Sequence, residues 1–429
     1  MKLNSLLKST LTIKATVPVM FLFLLLLSFK LRAEEPYTNE VKADNIETVI
    51  FQQENQPQSI PAIRLHSNDR LELRFDVLGE SFDSYEYRIV HCDFDWNESD
   101  LLRTEYMDGR PKGYIDDRQN SFNTHVKYEH YHLTLPNRDF EPKRSGNYAL
   151  VVFRNNDPDD VVLVRRFFVY ERGMSFTAEV KAPDHGRERR THHELEVKVN
   201  LEGTNLPDPK RNLTLMFRQN GRWDNAIKDP EPRRFTGDQM IFDYGQDNTF
   251  PAGNQFRQFD LRSIQSTGRN VRSFSLDSLR IAQLYPDEVR GTQSFTSYSD
   301  FNGFRMIKKR GSDQSHVEGD YAMVSFFLDQ ATPMEEEIYL FGELTDWQMQ
   351  NRYRLTYNAE REGYTGNFLF KQGFYNYYYV TPSPNFGADA SYFEGDHRQT
   401  INDYSVYIYQ KAPGDRTHRL KGFRSLSSD

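Results

Sequence analysis

Cysteine is nearly missing from this chain: Cys92 is the single one in 429 residues. One thiol excludes an intramolecular disulfide, so the fold has to be held by its core. It also excludes a thiolate zinc site of the usual spacing. A lipid-modified N-terminal cysteine is excluded too, because none closely follows the N-terminal apolar run. Excess positive charge is missing as well. With 54 Lys and Arg against 62 Asp and Glu, the net charge is -8, and no basic face is on offer for nucleic acid. Long apolar runs are missing after Phe29. The run Val17–Phe29 is shorter than the roughly 20 residues of a membrane-spanning helix. With Lys2, Lys8 and Lys14 ahead of it, it fits a signal peptide cleaved after Ala33; Lys30 and Arg32 leave a retained N-terminal anchor as the alternative. Catalytic signatures are missing: there is no GxSxG, HExxH, phosphate-binding or dinucleotide fingerprint. No carboxylate pair stands out for glycoside hydrolysis.

What is there is aromatic. The 32 Phe, 25 Tyr and 3 Trp supply more buriable surface than a disordered chain carries, and they favour strands. Helical periodicity is hard to find. Short alternating runs recur instead: RLELRFDVL (70–78), HYHLTLPN (130–137), NYALVVFRNND (147–157), VVLVRRFFVYE (161–171), HELEVKVNLEG (193–203) and LTLMFRQNGRW (213–223). Such runs between turn residues predict an all-β chain of tandem immunoglobulin-like β-sandwich domains. RNNDPDD reads as a hairpin turn. The expected division is a signal peptide over 1–33 and sandwiches over 34–172, 173–312 and 313–411, then a polar tail over 412–429. No internal repeat is evident.

The stretch YEYRIVHCDFDW (85–96) is the first candidate for chemistry. On a strand, Cys92, Phe94 and Trp96 share one face and His91, Asp93 and Asp95 the other. The first set reads as core, with Cys92 as a small hydrophobe; the second reads as facing solvent or a loop. The competing reading is a metal or catalytic site on His91, Asp93 and Asp95. A reactive thiolate needs an electropositive setting, and the two aspartates would raise the Cys92 pKa. Upstream, the apolar face switches near Ile89, which implies a bulge or a strand buried on both sides. His130 and His132 share a strand face at metal-compatible spacing, yet no third ligand is evident; a solvent-facing pair is expected. Arg165 and Arg166 are adjacent in a strand, so one must point inward. A buried Arg needs a carboxylate, for which Asp93 or Asp95 is the candidate.

The last third contains IYLFGELTDWQMQNRYRLTYNAEREGYTGNFLFKQGFYNYYYV (338–380). Its strand, Gly342, turn to Trp347 and aromatic strand resemble starch- and glycogen-binding modules. Trp347, Tyr375, Tyr377 and Tyr379 would then stack on sugars or, on the structural reading, pack between sheets, with Trp347 in the core.

Taken together, YEYRIVHCDFDWNESDL, EYMDG, SFNTHVKYEHYHLTLPN, SGNYALVVF, RRFFVYE, FPAGNQFRQFDLRSI, IYLFGELTDW, FKQGFYNYYYV and EGDHRQTINDYSVYIYQ resemble the plug protein family of the type IX secretion system of Bacteroidota. The resemblance spans about 85 to 410. It implies a periplasmic, non-enzymatic protein without cofactor or metal, peripheral to the outer membrane. Its expected partner is a large outer-membrane β-barrel translocon, whose periplasmic opening it would seal. Exposed loop residues Trp96, Tyr106, Arg110 and Tyr114 are the expected contacts, and Cys92, Phe94, Arg165, Arg166 and Trp347 the expected core. The alternative function is that of an exported carbohydrate-binding protein.

Overall fold

The computed structural model describes residues 36–429, apart from 185, 187, 205, 244–247, 385 and 386. The signal-peptide expectation, with cleavage after Ala33, lies outside the described residues. Tyr37–Asp429 forms one compact unit, built almost entirely of strands.

The first sandwich pairs two antiparallel sheets. One runs Glu40–Val41, Val161–Tyr170, Gly146–Arg154, Tyr85–Cys92 and Gly113–Tyr114; the other runs Ile46–Gln53, Leu71–Leu78, Tyr128–Leu135 and Asp117–Asn120. Leu73, Phe75 and Tyr131 from the second sheet meet Tyr87, Leu150 and Phe167 from the first. The Gly146–Arg154 and Val161–Tyr170 hairpin turns at Asn155 and Asn156, both at positive φ. Asn tolerates that conformation better than most residues; the Asn155 amide is held across to another loop, donating to Asp83 Oδ1 at 2.8 Å.

The second sandwich is not contiguous in sequence. One of its sheets contains Phe176–Lys181, His192–Asn200, Gln239–Phe242 and Arg234–Thr236. The other joins Ile227–Lys228 and Leu213–Gln219 to Asp403–Gln410 and Arg419–Ser427. Val406 and Ile408, from the end of the chain, pack with Leu195, Val197 and Phe217 in its core. The third sandwich is therefore inserted. Its sheets are centred on Gly373–Ser383, flanked by Arg257–Asp260 and Arg305–Ile307, and on Tyr321–Asp329 between Arg280–Leu284 and Gly363–Lys371.

Two expected boundaries are corrected by these pairings. The division at 312 fails because Arg257–Asp260, Val271–Leu276 and Arg280–Leu284 already belong to the third sandwich. The polar tail over 412–429 contains the strand Arg419–Ser427, hydrogen-bonded along Asp403–Gln410. Polarity misled because this is an edge strand: Leu420 is fully buried while Arg424 and Ser425 face solvent.

Neighbouring sandwiches share cores. The outer face of the first sheet, carrying Val90, Cys92, Ala149 and Phe168, packs on Met216, Tyr407, Tyr409 and Leu420 of the second sandwich. The first and third sandwiches meet over buried charge. Lys371 Nζ donates to Asp76 Oδ2 at 2.5 Å, Tyr321 OH donates to the same oxygen at 2.7 Å, and His130 Nδ1 lies 2.7 Å from Asp76 Oδ1. Burial alone would raise the Asp76 carboxyl; Lys371 and His130 hold it below its ordinary value.

Candidate functional site

The HCDFDW stretch is a strand end followed by a tight turn. Pairing with Gly146–Arg154 stops at Cys92. Asp93 Oδ1 then accepts the backbone N–H of Asp95 at 2.9 Å and of Asn97 at 3.0 Å. That side-chain turn carries Trp96 at φ +71° into the seam, where it is fully buried against Phe168 and Trp223. Cys92 and Phe94 are buried there too, with Phe94 edge-on to Tyr409 at 5.1 Å. Burial pushes the Cys92 thiol up, far from any reactive thiolate.

Several expectations are corrected here. His91 does not face solvent; it is fully buried, with Nδ1 2.9 Å from Ser99 Oγ. Burial, then the Arg144 charge, push its pKa down to about 3, so it is neutral. His91, Asp93 and Asp95 do not converge: Asp93 holds the turn and Asp95 is exposed. Among the described residues no group of three His, Cys, Asp or Glu could hold a metal ion. His130 is buried on Asp76 rather than solvent-facing, while His132 stays partly open beside Asp117. The pair splits because His130 lies at the junction with the third sandwich.

Arg165 and Arg166 do point to opposite faces, and both are buried. Neither meets Asp93 or Asp95. Arg165 Nη2 donates to Asp346 Oδ2 at 2.9 Å, across to the third sandwich. Arg166 packs against both Trp96 and Trp223, 4.6 Å from each centroid, beside the point where the two indoles meet edge-on. Tyr375, Tyr377 and Tyr379 are buried, as is Trp347. The hydroxyls of Tyr377 and Tyr379 donate to Asp287 Oδ2 at 2.7 and 2.8 Å, inside a network closed by Arg257 and Glu394. These rings are core and no platform for sugars, which removes the basis of the carbohydrate-binding alternative.

The four expected contact residues separate. Trp96 and Tyr106 are interior; Tyr106 donates its hydroxyl to Ile89 O at 3.2 Å. A loop position in sequence does not guarantee exposure when its backbone turns inward. Arg110 and Tyr114 are exposed, the Arg110 side chain at 61% and Tyr114 at 47%.

Tyr114 belongs to a wider surface at one end of the first sandwich. Loops 79–84, 121–127 and 155–160 meet there with the segment 110–116, which contains the short strand Gly113–Tyr114. Gly79 N–H donates to Lys127 O at 2.9 Å, Ile115 N–H to Tyr85 O at 2.9 Å, and Asn155 N–H to Ser84 O at 3.0 Å. Phe82 is 99% exposed and Phe122 60% exposed on these loops. Lys112 lies over the Tyr114 ring at 5.2 Å and bonds Asn156. Arg154 forks onto Asp160 at 2.9 and 3.0 Å. The loops are held by bonds to one another and, at Phe122, to Val317 of the third sandwich, and they present three aromatics among mostly acidic charges, Glu80, Asp83, Asp116, Asp157, Asp159 and Asp160 against Arg110, Lys112 and Lys127. Aromatic tips on a polar, ordered surface are the composition of a protein-binding site. Phe82 and Phe122 escaped the sequence reading; the available signal was a lone Phe within turn residues, in GESFDS and QNSFNT.

Comparisons with known proteins place the chain. Residues 46–171 match the family model "Type 9 secretion system plug protein 1st domain", which supports the type IX secretion plug family for this segment. A solved structure, a hypothetical protein from Parabacteroides merdae determined at 2.30 Å resolution, is 30% identical. The match covers 92% of this chain and 100% of that one, with a TM-score of 0.88. No curated protein matches.

Proposed function

We propose that this protein is a non-enzymatic plug that binds and closes the periplasmic opening of the type IX outer-membrane translocon. The observation that carries the reading is the match of residues 46–171 to the plug family model. The fold suits the task. Three sandwiches with shared cores make a stiff body, and an opening wide enough for secreted proteins must be covered by shape rather than by a flexible loop. Among the described residues no helix is long and apolar enough to cross a membrane.

We assign the partner contact to the loop end of the first sandwich, through Phe82, Tyr114 and Phe122, with Arg110 beside them. A seal has to be released for secretion, so its affinity must depend on the state of the channel. Binding through a limited aromatic patch with a polar rim is compatible with release. The test is conductance of the reconstituted translocon in a planar bilayer. Adding the purified protein should close the channel, and the Phe82→Ala/Tyr114→Ala/Phe122→Ala variant should do so at least about tenfold less tightly. Unchanged conductance with the native protein would contradict the sealing role; equal closure by the variant would move the contact elsewhere.

A further inference from the structure

A cleft of about 80 Å³ lies where the three sandwiches meet. It is walled by Trp223, Trp347 and Phe304, and Arg165, Arg166 and Arg218 line it together with Asp346 and Glu343. Three observations set it apart. First, its charges do not cancel. Arg165 is paired with Asp346, and Glu343 accepts the Arg305 N–H at 2.8 Å and faces that residue's charge. Arg166 and Arg218 have no carboxylate partner among the described residues, although they are only 9% and 4% exposed. Buried cations are ordinarily paired.

Second, the two guanidiniums pack against a touching pair of tryptophans. Trp96 and Trp223 touch each other at right angles with centroids 5.1 Å apart, Arg166 lies 4.6 Å from both, and Arg218 lies 3.8 Å from the Trp223 centroid. The Arg166 guanidinium packs against both indoles, which attract its charge but offer its N–H groups no acceptor. Its Nε is spent on Tyr37 O; neither Nη has an acceptor among the described residues. Arg218 differs. Its Nε, Nη1 and Nη2 each donate once, to Arg222 O, Tyr407 OH and Gly221 O, so its position is fixed and its main contribution to the cleft is charge. Third, the space suits a small group. About 10–15 Å³ on this measure holds one water, so the cleft admits a group of several heavy atoms.

We propose that this cleft binds an oxyanion, a carboxylate or a phosphate, held by the Arg166 Nη fork in the positive field of Arg218. Two parallel N–H donors match the spacing of two oxygens on such an anion. Burial and the Arg218 charge push the Arg166 guanidinium down to about 9, and a bound anion would offset that repulsion. The anion could arrive free, as phosphate, or as a carboxylate on a protein partner; both present the same pair of oxygens. The inference does not depend on the plug reading.

The chain carries only three tryptophans: two wall the cleft and the third packs against Arg166. Intrinsic fluorescence therefore reports directly on the site. The mature protein would be titrated with inorganic phosphate and, separately, with N-acetyl-aspartate amide, each against sodium chloride at equal ionic strength. Saturable quenching or enhancement by either anion, absent with chloride, is expected. Response to phosphate alone would indicate a free ion, and response to the aspartate derivative a carboxylate from a partner. Arg166→Lys keeps the charge but loses the fork, and should weaken binding at least about tenfold. No saturable response to either anion beyond chloride would overturn the proposal, as would undiminished binding by a folded Arg166→Lys protein. If that variant does not fold, the titration of the native protein still decides the matter.

Discussion

His91 and Lys371 show how single buried groups govern this molecule. His91 is neutral in the folded protein, with a pKa near 3 against an ordinary 6.5. The unfolded chain takes up that proton below pH 6.5, while the folded one refuses it until about pH 3. Stability should thus be complete above pH 6.5 and fall as pH drops through that window, by on the order of a few kcal/mol. Urea midpoints between pH 7 and 4 test this: His91→Gln, which keeps a partner for Ser99, should flatten the slope. An unchanged slope would show that other groups dominate acid unfolding. Lys371 and Asp76 lie 2.5 Å apart and are each 1% exposed at the side chain. Lys371→Met leaves Asp76 buried without its cation and should cost about 3–5 kcal/mol. The double variant with Asp76→Asn should lose less than the sum of the single changes. Additive losses would mean that the pair is not coupled. At this scale the sequence was partly legible. Alternation put Cys92 inside; Phe94 is buried as expected, but within the turn that follows the strand. Trp96 is inside because of that same turn, held by Asp93, which period-two reasoning does not describe. His91 was misplaced because the strand is buried on both faces, so its polar side had no solvent to find.

The strand Tyr85–Cys92 illustrates the element scale. Tyr85, Tyr87 and Ile89 belong to the core of the first sandwich, while Val90 and Cys92 face the second. The switch of apolar face visible in the sequence was the trace of a second packing partner. Strand existence was legible throughout the first sandwich because alternating runs and turn residues agree there. Partnership was not. Nothing local in YSVYIYQ says that it pairs with Leu213–Gln219, nearly 200 residues earlier in the chain, since an alternating pattern names a face and not a neighbour. The Arg419–Ser427 strand offers a test. A chain ending at residue 411 would uncover the Asp403–Gln410 edge and remove Leu420 from the seam. That truncation should unfold at markedly lower denaturant or aggregate through the open edge. A truncated protein as stable as the full chain would show the strand to be dispensable.

For the whole molecule, the inserted third sandwich and the shared cores bear on mechanics. Contacts between sandwiches include the Trp96, Phe168 and Tyr407 cluster and the buried Asp76–Lys371 pair. Apolar, buried junctions of this kind suppress domain motion, unlike the small polar interfaces that permit it. Limited proteolysis of the native protein should therefore spare the connections near 172 and 256 and cut first, if anywhere, in exposed loops such as 79–84. Rapid release of an intact first sandwich would contradict a stiff body. The loop end of that sandwich was only half legible: Arg110 and Tyr114 were singled out for composition, whereas Phe82 and Phe122 depend on four segments converging from distant parts of the sequence. The account as a whole stands on the identity of the partner. The most direct measurement is purification of the tagged protein from native outer membranes in mild detergent, with mass spectrometry of what accompanies it. The account predicts one very large β-barrel protein as the main partner, lost when Phe82, Tyr114 and Phe122 are replaced by Ala. Recovery of the native protein without any outer-membrane barrel would contradict it.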